Sequence, residues 1–336
     1  MKMTNMVFSP WEAEQLINGI RLQYGLDIQG IVERRSVYGL IGKEVNWIWK
    51  PIGEVDDELR LYELASMTNH ISQQGLLCGG PIPSLYGRFI SVPYAGARPG
   101  FLQLWLPGRH VNAANTEERR SAIRAIGRLH GLGRTINLTA FKTLHRGGLL
   151  SKMKMKMRTM QEVWPQAKER AQILESIEPY IWHTMEQCIF EYESSVKHNF
   201  PAACFCHRDL APHNLLWNSR ESGDFAISII DFDHSGYDDP IHDVIQFTSH
   251  CVFLSDCSAS DIEQMVMDYT LEVNLPEERL QLLRHLLSWP DILIRTVVEW
   301  CRHGFEPEKK IRVIHAVRKE ERRMQLLKEI DFARKV

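Results

Sequence analysis

The beginning of the chain carries a complete set of local helix signals. Ser9 can cap a helix, Pro10 suits the first turn, and Glu12 completes a capping box. Gly25, directly after Tyr24, is a typical helix stop. The pattern therefore predicts a first helix over residues 10–24.

Short apolar runs follow this helix and predict strands around a second helix. The strands are expected at residues 30–34, 37–41, 45–49, 89–93 and 100–106. Residues 54–74 carry apolar side chains at helical spacing and predict the helix between them. Strands that surround one helix are compatible with a small lobe built on a sheet.

After residue 115 the pattern becomes mostly helical. Helices are predicted at residues 116–132, at 149–196, and from 240 to the end. We expect Pro165 and Pro179 to divide the long middle stretch, because proline disrupts a helix interior. The chain thus divides into a β-rich part, residues 1–107, and a helical part, residues 108–336, which is an α+β organisation.

One segment interrupts the helices and carries the candidate chemistry. Apolar runs at residues 215–217 and 226–230 flank a stretch rich in turn formers, which predicts a β-hairpin. The hairpin would carry Asn214 at the start of one strand and Asp231 at the end of the next, so that both reach the same edge. Asp209 lies five residues before Asn214.

These side chains are the ones that phosphoryl transfer from a magnesium nucleotide requires. One carboxylate positions and deprotonates a hydroxyl, and an amide with a second carboxylate holds the metal. Asp209 and Asn214 alone are equally typical of turns and caps. Together with Asp231 behind an apolar strand, they favour a kinase-type site.

Composition excludes few functions but narrows the choice. The 336 residues are 44% hydrophobic and 24% charged, and the net charge is −2, so no global charge favours nucleic acid or an anionic membrane. The basic C-terminal helices lack interleaved aromatic residues, and acidic residues dilute their charge, which argues against a nucleic-acid partner.

Cysteine usage and hydropathy indicate the compartment. The seven cysteines form no CxxC pair, so neither a zinc site nor a disulfide framework is indicated. No apolar run has the length of a signal peptide core or a membrane span. Synthesis in a reducing cytoplasm without membrane insertion is therefore the expectation.

Several motifs resemble one known group of kinases. His207-Arg208-Asp209 with Asn214, followed by Asp231-Phe232-Asp233, is similar to the catalytic and metal loops of aminoglycoside phosphotransferase-type kinases, the branch of the protein-kinase-like fold that includes choline and homoserine kinases. Residues 47–51, 126–130 and 239–243 match further segments of that group. The resemblance implies a two-lobe fold, with a small antiparallel-sheet lobe over 1–107 and a mostly helical lobe over 108–336.

A narrower resemblance is to the spore-coat-associated CotS family of kinase-like proteins. It is carried by dispersed segments at residues 37–40, 50–51, 61–64, 105–109 and 288–290. This resemblance spans roughly residues 10–330. It implies association with the bacterial spore coat, and other coat proteins as partners.

The kinase resemblance assigns roles in catalysis and metal binding. Asp209 would be the catalytic base or a carboxylate that orients the hydroxyl, and Asn214 and Asp231 would hold Mg²⁺ that bridges the phosphates of ATP or GTP. Asp233 would be an additional metal ligand. Asp243 would brace the catalytic loop.

The same resemblance implies a set of nucleotide contacts. Lys50 would bind the α- and β-phosphates and be held by a helix carboxylate, for which Glu63 is the first choice and Glu58 the competitor. The alternative for Lys50 is a surface lysine at a strand end. The remaining implied contacts are Tyr38 and Gly39 in the phosphate loop, and Gln103 and Leu104 before the lobe connection.

Three features of the sequence depart from the patterns of known kinases. The phosphate loop contains only Gly39 and Gly42, and Arg208 stands where many small-molecule kinases have glycine. Nothing after Asp233 resembles an activation segment, which argues against a regulated protein kinase.

Two functions therefore stay open. The first is a phosphotransferase that acts on a hydroxyl of a small molecule or coat component. The second is an inactive structural protein of the spore coat. The intact set of Lys50, Asp209, Asn214 and Asp231 favours the enzyme. The segments around five aromatic residues are candidates to line its acceptor pocket: Trp164, Tyr180, Trp182, Tyr237 and Trp300.

Overall fold

The computed structural model describes residues 9–34, 37–53, 57–135, 141–144, 148–198, 203–219 and 225–330. The chain forms two units. The smaller is drawn from Met1–Gly108, Phe141–Leu144 and Ser228–Phe232, and the larger from Arg109–Ala140, His145–Ile227 and Asp233–Val336. Two short segments distant in sequence thus fold with the N-terminal unit, because they pack and hydrogen-bond there.

The smaller unit begins with the predicted helix. Helix α1 (Pro10–Tyr24) has Ser9 as its cap with both hydrogen bonds of the capping box, and Gly25 ends it with φ of 68°. The remaining elements are β1 (Ile28–Arg34), β2 (Val37–Gly42), β3 (Trp47–Pro51), α2 (Glu58–Gln73), β4 (Pro81–Ile82) and β5 (Gly100–Leu104). The local signals at the first helix are confirmed.

The strands of the smaller unit form one antiparallel sheet in the order β1-β2-β3-β5-β4. Its inner face packs against α1 through Leu16, Ile20, Leu40, Trp49 and Leu102, all almost fully buried. This apolar cluster fixes the register in which β3 lies between β2 and β5. Lys50 therefore lies on a central strand that is paired on both sides.

The predicted strand at residues 89–93 is wrong. Only Ser91 makes a β-bridge, to Gly100. The carboxylate of Glu58 instead accepts the backbone N–H groups of Phe89 at 2.7 Å and of Ile90 at 3.0 Å. These donors are satisfied by a side chain, so the segment has less need of a strand partner.

The larger unit is mostly helical and contains two small sheets. Its elements are β6 (Arg109–His110), α3 (Thr116–Arg134), α4 (Leu149–Arg170), α5 (Ile173–His198), β7 (Cys204–Cys206), β8 (Leu215–Ser219), β9 (Phe225–Ile229), β10 (Gly236–Asp238), α6 (Ile241–Leu254), α7 (Ala259–Glu272), α8 (Glu277–Leu286), α9 (Asp291–Arg302) and α10 (Pro307–Glu329). The last two residues of β9, Ser228 and Ile229, are counted with the smaller unit. β6, β8 and β9 form one sheet, and β7 pairs with β10. The predicted hairpin is confirmed by β8 and β9, while its turn at 220–224 lies outside the described residues.

Proline does not divide the long helices as predicted. Pro165 lies inside α4 and Pro179 inside α5. The chain breaks instead at Ala171, whose φ of −138° and ψ of 85° leave the helical region. Each proline costs one backbone hydrogen bond, which the packing of a long helix can offset.

The described residues contain no disulfide and no candidate membrane span. All seven cysteines are free, and six of them are buried. Within the described ranges, no helix combines the length and the apolar character that a membrane span requires.

Candidate active site

In the smaller unit, Lys50 and Asp231 are in direct contact. The Lys50 Nζ lies 2.6 Å from the Asp231 Oδ1. The contact joins residues that are 181 positions apart. Ile229 makes it possible, because its backbone N–H donates to the Leu77 carbonyl and its carbonyl accepts from the Gly79 N–H, both at 2.9 Å. The predicted phosphate-binding lysine and one predicted metal carboxylate thus lie together.

The backbone of Asp231 is left-handed, with φ of 68°. Such a conformation costs a non-glycine residue on the order of 1 kcal/mol and persists where surrounding contacts impose it. Strained residues of this kind concentrate at functional sites, which agrees with the role predicted for Asp231.

Glu63 has partners that the sequence did not suggest. Its Oε1 accepts the Lys142 N–H at 2.6 Å, and its Oε2 accepts the Thr143 N–H at 2.8 Å and the Thr143 hydroxyl at 2.5 Å. Burial raises the pKa of the Glu63 carboxyl, but these hydrogen bonds outweigh it and hold the pKa below its ordinary value. Glu63 therefore anchors residues 141–144 to α2. Its pairing with Lys50 stays a prediction.

The other predicted nucleotide contacts lie on the sheet. Gly39 pairs with Ile48, which pairs with Gln103 on the other side, so the three residues form one row across β2, β3 and β5. Tyr38 is partly buried, and Leu104 is exposed at the end of β5. A Cβ on Gly39 would lie 2.2 Å from the ring of Trp105.

The packing of Trp105 is a sufficient reason for glycine at position 39. The roles of Tyr38, Gly39, Gln103 and Leu104 toward a nucleotide remain predictions. Residues 35 and 36 of the predicted phosphate loop lie outside the described residues.

In the larger unit, Asp243 holds the loop that carries Asp209. Its carboxylate accepts the backbone N–H groups of His207 and Arg208, each at 2.7 Å. Gln246, on the same helix, accepts the N–H of Leu210 at 3.1 Å. Side chains of helix α6 thus accept hydrogen bonds from the backbone on both sides of Asp209. The predicted bracing role of Asp243 is confirmed.

A buried network supports Asp243 in turn. His130 Nε2 lies 3.0 Å from the Asp243 Oδ2, and His130 Nδ1 lies 2.8 Å from the Tyr269 hydroxyl. Burial raises the pKa of Asp243, but the hydrogen bond and positive charge of His130 dominate and hold that pKa well below its usual range. Asp243 is therefore a charged anchor at neutral pH.

Asp209 and Asn214 are brought together by a tight turn. A 3-10 turn over Pro212–Asn214 lets the Asn214 Nδ2 donate to the Asp209 carbonyl at 2.8 Å. This bond fixes the amide group and leaves its oxygen as the atom suited to a cation. The Asp209 side chain stays partly exposed, which is compatible with its predicted role as a base.

Arg208 adopts a left-handed backbone with φ of 67°, which explains why glycine would suit this position. Its buried guanidinium Nε lies 3.0 Å from the Asp238 Oδ2. The buried ion pair gives the larger unit a reason to retain arginine despite the strain. Arg208 thus acts in holding the loop shape.

The predicted metal ligands are oxygen donors. Asn214 supplies an amide oxygen, and Asp231 and Asp233 supply carboxylates, with Asp233 in a 3-10 turn over Phe232–His234. Hard oxygen ligands of this kind suit Mg²⁺ and Ca²⁺. The donor chemistry therefore fits a divalent cation that accompanies a nucleotide.

A second potential metal cluster is better explained as structure. Within the described part of the chain, His130, Cys204 and Cys206 place ligand atoms within 4.8 Å of one another. Both ring nitrogens of His130 already bond to Tyr269 and Asp243. A metal would have to displace one of these buried bonds, so the cluster supports the loop.

Asp209 lies in the wall of a cavity of about 560 Å³ that belongs entirely to the larger unit. Helices α4 and α9 supply most of the wall, through residues such as Lys152, Lys156, Arg295 and Arg302. Sequence reasoning missed these charged residues and suggested segments around aromatic residues instead. These residues can be identified only when it is known which faces of α4 and α9 line the cavity.

Lys152 lies beside the loop that carries Asp209 and donates to the Arg208 carbonyl at 2.8 Å. Burial, together with the positive charges of Lys156 and Arg208, lowers the pKa of Lys152 from its ordinary 10.5 to about 8. At pH values between about 8 and 10.5, Lys152 keeps its proton in the unfolded chain but has released it in the folded chain.

We therefore expect the free energy of unfolding to rise with pH from about 8 to 10, because the unfolded state binds more protons there. In Lys152→Met this contribution should be absent. Urea denaturation at pH 7.5, 8.5 and 9.5 (roughly spanning the titration of Lys152) measures the difference between the two proteins. Lys154→Met, a half-exposed neighbour on α4, should keep the rise. A difference that does not vary with pH would contradict the expectation.

Comparisons with known proteins agree with this geometry. Residues 50–264 match the model of the phosphotransferase enzyme family. The matched range contains Lys50, Asp209, Asn214, Asp231 and Asp243. No curated protein matches the sequence significantly.

Solved structures share the fold over nearly the whole chain. An aminoglycoside phosphotransferase from Alicyclobacillus acidocaldarius has a TM-score of 0.75 at 13% identity, covering 97% of this chain and 96% of its own. A spectinomycin phosphotransferase in complex with ADP and spectinomycin has a TM-score of 0.62 at 15% identity, covering 95% of this chain and 100% of its own. An amicoumacin kinase in complex with AMP-PNP, Ca²⁺ and Ami has a TM-score of 0.64 at 16% identity, covering 95% of this chain and 96% of its own.

These similarities establish a kinase-like α+β fold, with an antiparallel sheet in the N-terminal part and a mostly helical C-terminal part. At such low sequence identities, the similarity to these structures supports the fold and no specific activity. The family match covers more than half of the 336 residues and includes the loop that carries Asp209. The protein therefore belongs to the phosphotransferase enzyme family.

Proposed function

We propose that the protein transfers the terminal phosphoryl group of ATP or GTP, with Mg²⁺, to a hydroxyl of a small molecule or coat component. One observation carries the proposal. The carboxylate of Asp209 lines a cavity large enough for a small substrate, on a loop that Asp243 holds in place. Family membership and neighbours with bound nucleotides support the same reaction.

The proposed step is a direct displacement. The acceptor oxygen forms a bond to the γ-phosphorus, and the bond from that phosphorus to the bridging oxygen breaks, so that the nucleoside diphosphate leaves with the electron pair. The acceptor proton passes to Asp209. Bound Mg²⁺ would neutralise charge on the phosphates.

The roles of the remaining residues follow from their chemistry. Lys50 would contact the α- and β-phosphates, and Asn214, Asp231 and Asp233 would hold the metal. Tyr38, Gly39, Gln103 and Leu104 would border the nucleotide in an N-terminal lobe over 1–107, with Glu63 as a support for Lys50. The catalytic loop would belong to a lobe over 108–336.

Association with the spore coat is a further part of the proposal, and it rests on the CotS resemblance in the sequence. The second candidate function is an inactive structural protein of that coat. The packing of Trp105 on Gly39 favours it, because this glycine is explained without a phosphate.

Nucleotide binding tests the enzymatic proposal. Millimolar AMP-PNP with Mg²⁺ should raise the melting temperature by about 2–4 °C if it is present at about 100 times the dissociation constant. Asp231→Asn should lose most of this shift, since asparagine tolerates the left-handed backbone but weakens metal binding. Asp256→Asn, an exposed carboxylate elsewhere, is the matched control. No magnesium-dependent shift in the wild type would favour the structural function.

A further inference from the structure

We propose that the cavity beside Asp209 selects an anionic acceptor, a hydroxyl compound that carries a carboxylate or a phosphate, and that Arg295 and Arg302 bind this anionic group. The inference rests on the proposed phosphotransferase function and adds the substrate class. It follows from how charges are distributed and balanced around the cavity.

Two helix faces form the cavity. Lys152, Met155, Lys156 and Thr159 on α4 follow the spacing of one helix face. On α9 the lining residues are Asp291, Ile294, Arg295, Val298, Glu299 and Arg302, again one face of a helix. Arg295 and Arg302 are two turns apart and so lie in one row. Asp209 belongs to the same wall.

Two of the acidic groups in the cavity already have an ion-pair partner, one buried and one exposed. The buried carboxylate of Asp291 forms an ion pair with Lys156. The carboxylate of Glu299 lies 3.4 Å from a guanidinium nitrogen of Arg312, which is outside the cavity lining. Asp209 is then the one lining carboxylate without an ion pair among the described residues. Its proposed task is to accept a proton.

The positive groups are less balanced. Arg208 pairs with Asp238. Lys152 donates to a backbone carbonyl. Arg295 and Arg302 are exposed, and neither forms an ion pair with any residue in the described ranges. Two guanidinium groups therefore face the cavity with their charge uncompensated.

This balance favours an anion and disfavours a polycation. A guanidinium presents paired N–H donors that match the geometry of a carboxylate or a phosphate. Met155, Ile294 and Val298 add apolar surface for the carbon chain of the acceptor. A positively charged acceptor would meet Arg295 and Arg302 without a free carboxylate other than the catalytic one.

A set of four-carbon alcohols that differ in one end group tests the selection. We would measure binding by titration calorimetry with AMP-PNP and Mg²⁺ present, using 4-hydroxybutyrate, 4-hydroxybutyl phosphate, 1,4-butanediol and 4-amino-1-butanol. The two anions should bind at least about tenfold more tightly than the diol or the amine. The carboxylate and phosphate arms then identify which anion is preferred.

Variants assign the effect to the arginines. Arg295→Gln and Arg302→Gln should each weaken binding of the preferred anion by about tenfold, and leave binding of the diol unchanged. Arg284→Gln, an exposed arginine on α8 outside the cavity, should change neither. Melting temperatures of all three should equal that of the wild type.

Three results would overturn the inference: equal or tighter binding of the amine, no detectable binding of either anion, or anion binding that survives both substitutions. In each case the magnesium-dependent shift with AMP-PNP still reports separately on the proposed function. A protein that binds nucleotide but prefers the amine is a phosphotransferase with a different substrate class. A protein without that shift loses both proposals.

Discussion

Asp209→Asn should lower the rate of phosphoryl transfer by about 10²- to 10⁴-fold, which is the usual contribution of a positioned general base. The substitution keeps the size of the side chain and removes its ability to take the acceptor proton. The backbone bonds that hold the loop come from Asp243 and Gln246, so the loop should keep its shape. Transfer of label from γ-labelled ATP to an accepted alcohol measures the loss.

The control for this prediction lies in the same cavity. Glu299→Gln also converts a lining carboxylate into an amide, but Glu299 is paired with Arg312 and has no proposed part in proton transfer. It should leave kcat nearly unchanged. If Asp209→Asn retained more than about a tenth of the wild-type rate, another group would have to be the base.

Asp243→Ala should destabilise the protein by about 3–5 kcal/mol, the cost of removing one partner from a buried charged network. The carboxylate is fully buried and accepts bonds from the backbone of His207 and Arg208 and from His130. Its removal leaves these donors without acceptors in a site that water does not reach. Urea denaturation monitored by tryptophan fluorescence gives the free energy of unfolding.

The pH dependence of this effect has a definite sign. Since the folded-state pKa of Asp243 is held below its ordinary 3.8, its stabilisation is fully present above that value and is lost on acidification below it. The difference in free energy of unfolding between the wild type and Asp243→Ala should therefore become smaller at acidic pH. Asp256→Ala removes an exposed carboxylate and should leave the unfolding curve unchanged. A loss below about 1 kcal/mol for Asp243→Ala would mean that the loop is held by other contacts.

Local signals predicted much of the fold. The first helix was predictable to its caps because Ser9, Glu12 and Gly25 act within a few residues of one another. The hairpin was predictable because its two apolar runs are adjacent in sequence. The irregular path of residues 89–93 was not predictable, since the side chain of Glu58 satisfies backbone donors about 30 residues away.

The candidate site divides in the same way. The loop from His207 to Asn214 was predictable from its sequence motif, and so was its support by Asp243. The partners of Glu63 were not readable, because Lys142 and Thr143 reach it only through the folded chain. Gly39, interpreted as part of a phosphate loop, gained a packing explanation from Trp105.

The sequence by itself predicted the class of chemistry, since Asp209, Asn214 and Asp231, the residues proposed for phosphoryl transfer, lie within one short segment around a local hairpin. Only the tertiary structure decided that Asp231 lies against Lys50 and that Arg295 and Arg302 share a cavity with Asp209. These arrangements depend on contacts between residues far apart in the chain. Helix register and tertiary packing determine these arrangements, and the pattern of neighbouring residues in the sequence carries little information about register or packing.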